Sequence, residues 1–169
     1  MSMAQHHAFA IPTLTVFESV TAGPGDLWWQ REPGLPERLN AQMKGSLLIR
    51  FPIAFAAHYK LENAERVVFE LNRAGVPILA GTDAPAPGMA HGVSLHRELE
   101  LLVASGLTPL QALSDATFVP ARTFGFHDRG RVAVAFRADL VLVDGDPSEH
   151  IEAMRNIAGV WKLGKEYSH

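Results

Sequence analysis

One short apolar segment, residues 76–80, constrains the fold more than any other part of the chain. It lies between Gly75 and Gly81, and a short apolar run bounded in this way is typical of a buried parallel strand. Asp83 follows almost at once, so its carboxylate is predicted to lie at the carboxyl end of the strand. Functional groups of α/β proteins collect at that end. A loop containing proline and an amphipathic helix over residues 94–105 complete a β/α unit.

The position of Asp83 alone leaves two interpretations open. An aspartate after a strand is often only a turn former or a helix cap. The next predicted helix begins well downstream, which disfavours capping. The alternative is a functional carboxylate at the mouth of the β/α unit.

The composition is that of an ordinary globular chain: 169 residues, 47% hydrophobic and 20% charged, with a formal net charge of -3. This charge gives no indication of a nucleic-acid or membrane partner. There is no cysteine, which excludes disulfides and thiolate metal sites. No apolar run approaches the roughly 20 residues that span a bilayer. The first seven residues lack the features of a signal peptide, and a cytoplasmic location is expected.

A series of short motifs follows in order along the rest of the chain. They are Gly81-Thr82-Asp83-Ala84, His91-Gly92, Leu95-His96-Arg97-Glu98-Leu99, Gly106-Leu107-Thr108-Pro109, Pro120-Ala121-Arg122, Gly130-Arg131-Val132 and the run from Ala138 to Pro147. Each motif is weak alone, but their order is specific. The series resembles the C-terminal part of the amidohydrolase superfamily, in its imidazolonepropionase-like and prolidase-like branch. The resemblance covers the chain from about Ala8 to Gly164.

The resemblance implies an α/β fold: the C-terminal portion of the (β/α)8 barrel of a metal-dependent hydrolase, with part of a small β-sandwich. Residues 1–125 would form the last two β/α units with a loop insert, and residues 126–169 the sandwich segment. A complete barrel needs about 250 residues. The barrel is therefore predicted to be incomplete in this chain, which would be a C-terminal fragment.

Local patterns predict the individual elements. Residues 8–17 are rich in β-branched and aromatic side chains and predict a first strand, and residues 18–36 predict a long loop rich in Gly and Pro. Helical composition covers residues 37–51 and 54–73, and further helices are predicted to begin at Thr108 and Pro120. Short strands are predicted over residues 131–134, 138–144 and 157–164.

Three residues are candidates for substrate binding: Trp28, Trp29 and His91. The tryptophans lie in the predicted loop, whose length favours a lid or binding loop. The alternative, favoured for either tryptophan alone, is that it fills a hydrophobic gap beneath the loop. His91 lies in the loop after Asp83, where it would contact an anionic substrate group or relay a proton. The alternative is a histidine that only bonds the loop backbone.

The other histidines are weaker candidates. His6 and His7 are adjacent, and neighbouring side chains of an extended chain point in opposite directions, which disfavours a shared metal. His58 and His91 together are too few to complete a metal site. His96 lies within the predicted helix over residues 94–105 and is expected to be structural.

The resemblance also implies a chemistry. Family members hydrolyse amide, lactam and related bonds at one or two divalent metals, zinc most often, which activate a water molecule. Asp83 matches the aspartate that binds metal and exchanges the proton of that water. The other family ligands, including a His-x-His pair, do not occur in this sequence. A catalytic zinc needs about three protein ligands, so the isolated chain is predicted to be inactive.

Two functions of different class remain. The first is the C-terminal part of a metal-dependent hydrolase that cleaves a C–N bond of a small substrate. The second is a non-catalytic binding or assembly domain derived from such a hydrolase. A flavodoxin-like binding domain is a weaker third, because no Gly-rich phosphate loop follows the strand. An unpaired strand edge predicts a homo-oligomer or association with a missing N-terminal portion.

Overall fold

The computed structural model describes residues 3–6, 8–23, 26–52 and 58–167. The α-helices in these ranges are α1 (Leu14–Thr21), α2 (Trp28–Arg31), α3 (Leu35–Arg38), α4 (Ala41–Leu48), α5 (Leu61–Arg73), α6 (Val93–Ala104), α7 (Pro109–Ala116) and α8 (Phe118–Thr123). Met3–His6 and Ile151–Arg155 are 3₁₀-helices, and the strands are β1 (Leu140–Val143), β2 (Ile157–Lys162) and β3 (Lys165–Tyr167). None of the helices in the described ranges has the length and hydropathy that crossing a bilayer requires.

Helix α6 is the centre of the main hydrophobic core. Its Leu99, Leu101 and Leu102 side chains are at most 3% exposed, and α1, α5, α7 and the second 3₁₀-helix all pack against it. Burying each leucine contributes about 1.5–3 kcal/mol. The bounds of α6 agree within one residue with the helix predicted over residues 94–105.

The predicted strand over residues 8–17 is wrong in its second half. Only Ala10 makes a strand-like bridge, in parallel with Ile78, and α1 begins at Leu14. The reason lies far away in the sequence: the side chain of Glu98 accepts hydrogen bonds from the backbone N–H groups of Leu14 and Thr15, each at 2.9 Å. These N–H groups would otherwise lack partners at the start of a helix.

The strand predicted over residues 76–80 is reduced to the same bridge. The N–H of Ala10 donates to the carbonyl of Pro77 at 2.9 Å, and the N–H of Leu79 donates back to Ala10 at 2.9 Å. Pro12 and Pro77 have no N–H to donate, so the ladder cannot extend through them. The segment is nevertheless buried as predicted, since Ile78 and Leu79 are each 2% exposed.

Helix α5 begins later than predicted. It starts at Leu61; residues 54–57 lie outside the described residues, and residues 58–60 are not helical. Val68 is 1% exposed, but its neighbour Val67 is 56% exposed. Successive side chains point about 100° apart on a helix, so only one of the two valines can face the core. Gly75 follows the end of the helix in the left-handed region, with φ of 70°.

The start of α7 agrees with the prediction from the sequence. Thr108 caps the helix: its hydroxyl accepts from the Gln111 N–H at 3.2 Å, and the Gln111 side chain accepts from the Thr108 N–H at 2.8 Å. Apolar Leu110 is 63% exposed, because α7 packs through Ala112, which is fully buried. Helix α8 begins at Phe118 rather than at Pro120. Pro120 therefore lies in the first turn of the helix, where proline is tolerated.

The C-terminal sheet is antiparallel, with the order β1-β2-β3. Leu140 pairs with Trp161, and Val160 pairs with Tyr167. The strand predicted over residues 131–134 is wrong: these residues form irregular and turn backbone without a ladder partner in the described chain, and Val134 is 98% exposed. The division into residues 1–125 and 126–169 stays a prediction.

Candidate functional site

Asp83 lies at the carboxyl end of the buried segment, in the loop that leads to α6. Its side chain is exposed, and its backbone is in the left-handed region, with φ of 54°. This conformation is uncommon for a residue with a side chain. The carbonyl of Asp83 accepts from the N–H of Ala86 at 2.9 Å, which forms a tight turn. Within the described ranges no side chain donates to the Asp83 carboxylate, so it is available to a ligand.

Close packing fixes the two sides of this loop. A Cβ at Gly81 would lie 2.5 Å from Cγ2 of Ile11. A Cβ at Gly88 would lie 1.9 Å from Oγ of Ser19, and Gly88 has a φ of 81°. The Ser19 hydroxyl donates to the carbonyl of Pro87 at 3.0 Å. Glycine is therefore required at Gly88, and a side chain at Gly81 would force Ile11 to shift. The Asp83 loop is thus attached to α1 and to the segment before it.

His91 lies at the other end of the same loop, just before α6. Its side chain is exposed, and its carbonyl accepts from the N–H of Val93 at 3.1 Å. The preceding Ala90 is buried, and its N–H donates to the Ser94 hydroxyl at 3.0 Å. His91 and Asp83 therefore belong to one anchored loop and both reach solvent. The role of His91 in substrate binding stays a prediction.

The two tryptophans do not lie in an irregular loop. Residues 18–36 were predicted as a loop, but they contain the end of α1, the whole of α2 and the start of α3. Trp28 and Trp29 lie in α2 and are 9% and 5% exposed. They pack in a second core cluster with Leu39, Leu47 and Val93. Burial agrees with the packing interpretation of the tryptophans, because most of both side chains is unavailable to a ligand.

A cavity of about 540 Å³ lies beside this cluster. Helix α1, helix α2 and residues 59–62 form most of its wall, and Gly88 of the Asp83 loop also reaches it. Trp28 and Trp29 are part of the lining, together with charged groups of both signs, including Glu18, Arg31 and Lys60. A volume of this size is ordinary for a small-molecule site. The tryptophans can therefore act as a wall of a pocket even though they are mostly buried.

A network of ion pairs connects α1, α6 and the C-terminal segment. The sequence did not indicate this network. Arg97 pairs with Glu18 at 2.5 Å and with Glu100 at 3.0 Å. Arg155 pairs with Glu100 at 2.5 Å and also with Glu32. Both guanidinium groups lie over the ring of Trp28, at 5.8 and 5.5 Å from its centroid.

The positive charge of Arg97 in this network is stable. Burial alone would lower the pKa of Arg97, but hydrogen bonds and charges from Glu18 and Glu100 raise its pKa overall. The guanidinium therefore stays protonated. His96 is close to this network, and burial together with the charge of Arg155 lowers its pKa. His96 is thus a neutral, largely buried ring on α6, which agrees with the structural role expected for it.

Glu98 is the other polar group that the sequence did not single out. Its side chain is fully buried, and it accepts three hydrogen bonds, two from the Leu14 and Thr15 backbone and one from the Thr15 hydroxyl at 3.1 Å. Burial raises its pKa to about 7 despite these hydrogen bonds. The sequence did contain an indication that Glu98 is buried, because Glu98 shares a helix face with Ser94, Leu101 and Leu102. The sequence did not indicate that the N–H groups of Leu14 and Thr15 would be its hydrogen-bond donors.

Asp115, on α7, is a second buried carboxyl, and burial raises its pKa to about 6. Its backbone carbonyl accepts from the N–H of Ala80 at 2.8 Å, which fixes α7 against the segment that leads to Asp83. Neither the side chain of Asp115 nor that of Glu98 is exposed enough to bind a ligand from solvent. Both are therefore scaffold groups: Glu98 holds the start of α1 against α6, and the backbone of Asp115 holds the segment that leads to Asp83.

The structure also allows a test of whether a metal fits. Across the described residues, no three His, Asp or Glu side chains come close enough together to hold a metal ion. His6 and His58 are exposed, and His7 lies outside the described residues. A catalytic zinc needs about three protein ligands. The described part of this chain therefore offers Asp83 as a single candidate ligand and does not form a complete metal centre.

Comparison with known proteins relates this chain to one family of hydrolases. The profile described as "Amidohydrolase family" matches residues 35–167. An imidazolonepropionase of Cereibacter sphaeroides is 35% identical over 128 residues, which is 74% of this chain and 29% of the relative. An adenine deaminase of Lysinibacillus sphaericus is 37% identical over 71 residues, which is 42% of this chain and 11% of the relative.

Solved structures share the fold. The crystal structure of a Xaa-Pro dipeptidase with bound methionine superposes with a TM-score of 0.74 and 24% identity, over 99% of this chain and 36% of that structure. A putative prolidase from Bifidobacterium longum gives a TM-score of 0.69 and 25% identity, over 96% of this chain and 35% of that structure. The chain thus spans about a third or less of the length of the proteins it matches.

Proposed function

Because this chain belongs to the amidohydrolase family, we propose that it is the C-terminal part of a metal-dependent hydrolase that cleaves an amide, lactam or peptide-like C–N bond of a small molecule. The observation that carries the proposal is the exposed Asp83 carboxylate at the end of a buried segment, in a loop held by Gly81 and Gly88. Members of the family generally use divalent metals, and we propose that the complete enzyme binds zinc. The relatives named above are imidazolonepropionase and adenine deaminase.

In this proposal Asp83 is the catalytic residue of the chain. A bound divalent metal would supply an activated water molecule and polarise the scissile carbonyl. The Asp83 carboxylate would hold the proton of that water and pass it to the leaving nitrogen. His91, Trp28 and Trp29 would contact the substrate from the same loop and from the neighbouring cavity. The remaining metal ligands would come from polypeptide outside this chain, because its described residues do not complete a site.

The test is a comparison of the chain alone with an assembled protein. We expect the mass-verified chain, loaded with zinc or manganese and analysed for metal, to hold much less than one ion per chain and to hydrolyse no lactam, amide or dipeptide. We expect a chimera, in which this chain replaces the matching C-terminal part of the Cereibacter imidazolonepropionase, to hold metal and to be active. A folded, metal-loaded but inactive chimera would favour the non-catalytic assembly domain.

We also propose that the isolated chain forms homo-oligomers. Strand β1 lies at an edge of its sheet, and Leu140, Val141 and Leu142 are 37%, 53% and 55% exposed. These apolar side chains alternate between both faces of the strand. An exposed apolar edge strand pairs readily with another chain.

Light scattering coupled to size-exclusion chromatography tests this proposal. We expect a mass above 18.4 kDa that rises with concentration, and a shift toward monomer in the variant Val141→Lys. The matched control is Val67→Lys, because Val67 is 56% exposed and lies on α5, outside the C-terminal sheet. A monomer at every concentration, or equal shifts in both variants, would contradict the proposal.

A further inference from the structure

A second, smaller cavity lies between α8 and the irregular segment that follows it. Its volume is about 330 Å³, and its lining consists of three arginines, three phenylalanines and one histidine. No acidic side chain is part of this lining. Such a composition is unusual in a chain whose formal net charge is -3. The cavity contains none of the residues of the Asp83 loop, so the inference below does not depend on the hydrolase function.

The charge of this cavity is only partly neutralised. Arg129 pairs with Asp128, with 2.8 Å between Nε and Oδ1. Arg122 and Arg131 form no ion pair and no hydrogen bond through their guanidinium groups within the described ranges. Both are exposed and both line the cavity. Two positive charges therefore face one cavity without a counter-charge from the described residues.

The three guanidinium groups are also held in place. Arg122 lies over the ring of Phe118 at 5.6 Å, Arg129 over Phe126 at 4.6 Å, and Arg131 over Phe136 at 5.2 Å from the ring centroids. A guanidinium stacked on an aromatic face keeps its N–H groups free at the edge of its plane. Stacking also reduces the conformational entropy that an arginine loses when it binds an anion.

From this arrangement we propose that the cavity binds the phosphate group of a soluble organic phosphate. A phosphate monoester carries a charge of about -1.5 to -2 near neutral pH, which matches the two uncompensated arginines. Its oxygens accept the paired N–H groups of a guanidinium in a bidentate manner. A carboxylate carries one charge only and leaves one arginine unpaired. The phenylalanine-rich wall accommodates an apolar or aromatic group attached to the phosphate.

Isothermal titration calorimetry with phenyl phosphate tests the proposal. We expect saturable binding at one site per chain, and binding of benzoate that is at least about ten-fold weaker, in line with the strength of charged hydrogen bonds. Removing both charges with Arg122→Gln and Arg131→Gln together should weaken phenyl phosphate binding by about ten-fold or more. The double variant Arg122→Lys and Arg131→Lys, which keeps the charge but loses the bidentate geometry, should fall between the two.

The control for these variants is Arg73→Gln. Arg73 also ends a helix and lies over a phenylalanine ring, that of Phe69, at 5.6 Å, but it does not line the cavity. We expect this variant to bind phenyl phosphate like the unchanged chain. Circular dichroism and the Tm should show that all the variants fold, since the replaced side chains are exposed.

Three results would overturn the proposal. The first is no binding of phenyl phosphate at millimolar concentration by the unchanged chain. The second is an equal loss of binding in the Arg73 control and in the Arg122 and Arg131 double variant. The third is binding to phosphatidylcholine vesicles that contain phosphatidic acid, without binding of soluble phenyl phosphate, because the phosphate would then belong to a lipid surface.

Discussion

Replacing Asp83 with asparagine is expected to lower kcat/KM of the assembled hydrolase by about 10³-fold, the order of magnitude that a positioned proton-transfer group contributes. Asparagine has nearly the same shape as aspartate, and it cannot accept a proton or bind a metal as an anion. Asp83 is exposed and receives no side-chain hydrogen bond from the described residues, so the change should leave the Tm almost unaltered. The measurement is kcat/KM of the chimera with and without the substitution, together with its metal content.

The matched control for this experiment is Asp144→Asn. Asp144 is also exposed, but it lies in the turn after β1, where its backbone N–H donates to the carbonyl of Asn156 at 2.8 Å. We expect the control to keep the full activity of the chimera. Activity within a few-fold of the unchanged chimera in the Asp83 variant would remove Asp83 from the catalytic site.

Replacing Glu98 with alanine is expected to destabilise the chain by about 3–5 kcal/mol, the largest effect on stability that the structure indicates. The substitution leaves the buried N–H groups of Leu14 and Thr15 without their acceptor. Each unsatisfied buried group costs about 1–3 kcal/mol, and the lost side-chain volume adds a cavity cost. Urea unfolding followed by circular dichroism measures the change. Glu70→Ala, an exposed position on α5, is the control and should change the stability little.

Glu98 should also give the stability a distinct dependence on pH. Its pKa is about 7 in the folded chain, against an ordinary value of 4.5, because burial penalises the charged carboxylate and the charge of Glu18 adds to this. The folded chain therefore binds more protons than the unfolded chain between these two values, and stability falls as the pH rises through this window. A shift of this size corresponds to about 3 kcal/mol across the window.

The variant Glu98→Gln isolates this contribution, since it cannot titrate. We expect the free energy of unfolding of the unchanged chain to fall by up to about 3 kcal/mol relative to this variant between pH 5 and pH 7.5. Asp115, with its pKa raised to about 6 by burial, adds a slope of the same sign to both proteins. Parallel pH profiles would mean that Glu98 is not protonated in the folded chain near neutral pH.

Much of the helical structure was accessible from the sequence, because it depends on neighbouring residues. The alternation of apolar and polar side chains set the bounds of α6 to within one residue, and Thr108 as N-cap marked the start of α7. The ordered motifs from Gly81 to Pro147 indicated the family, which the profile match confirms. The strand predicted over residues 131–134 failed, because β-propensity has meaning only when a partner strand is present.

The sequence by itself determined the family, the main helices and the position of Asp83 at the end of a buried segment. These features follow from local periodicity, from turn residues and from the order of motifs along the chain. Only the tertiary structure decided that residues 14–21 form a helix, because the acceptor for the first N–H groups of that helix is Glu98.

The tertiary structure alone also joined Arg97 and Arg155 around Trp28, and it placed Arg122 and Arg131 in one cavity. Long-range pairs of this kind depend on which charged or polar groups become buried together. Desolvation makes each such group costly unless it finds a partner. The packing of whole helices and strands determines which groups become partners, and local patterns in the sequence do not indicate these pairs.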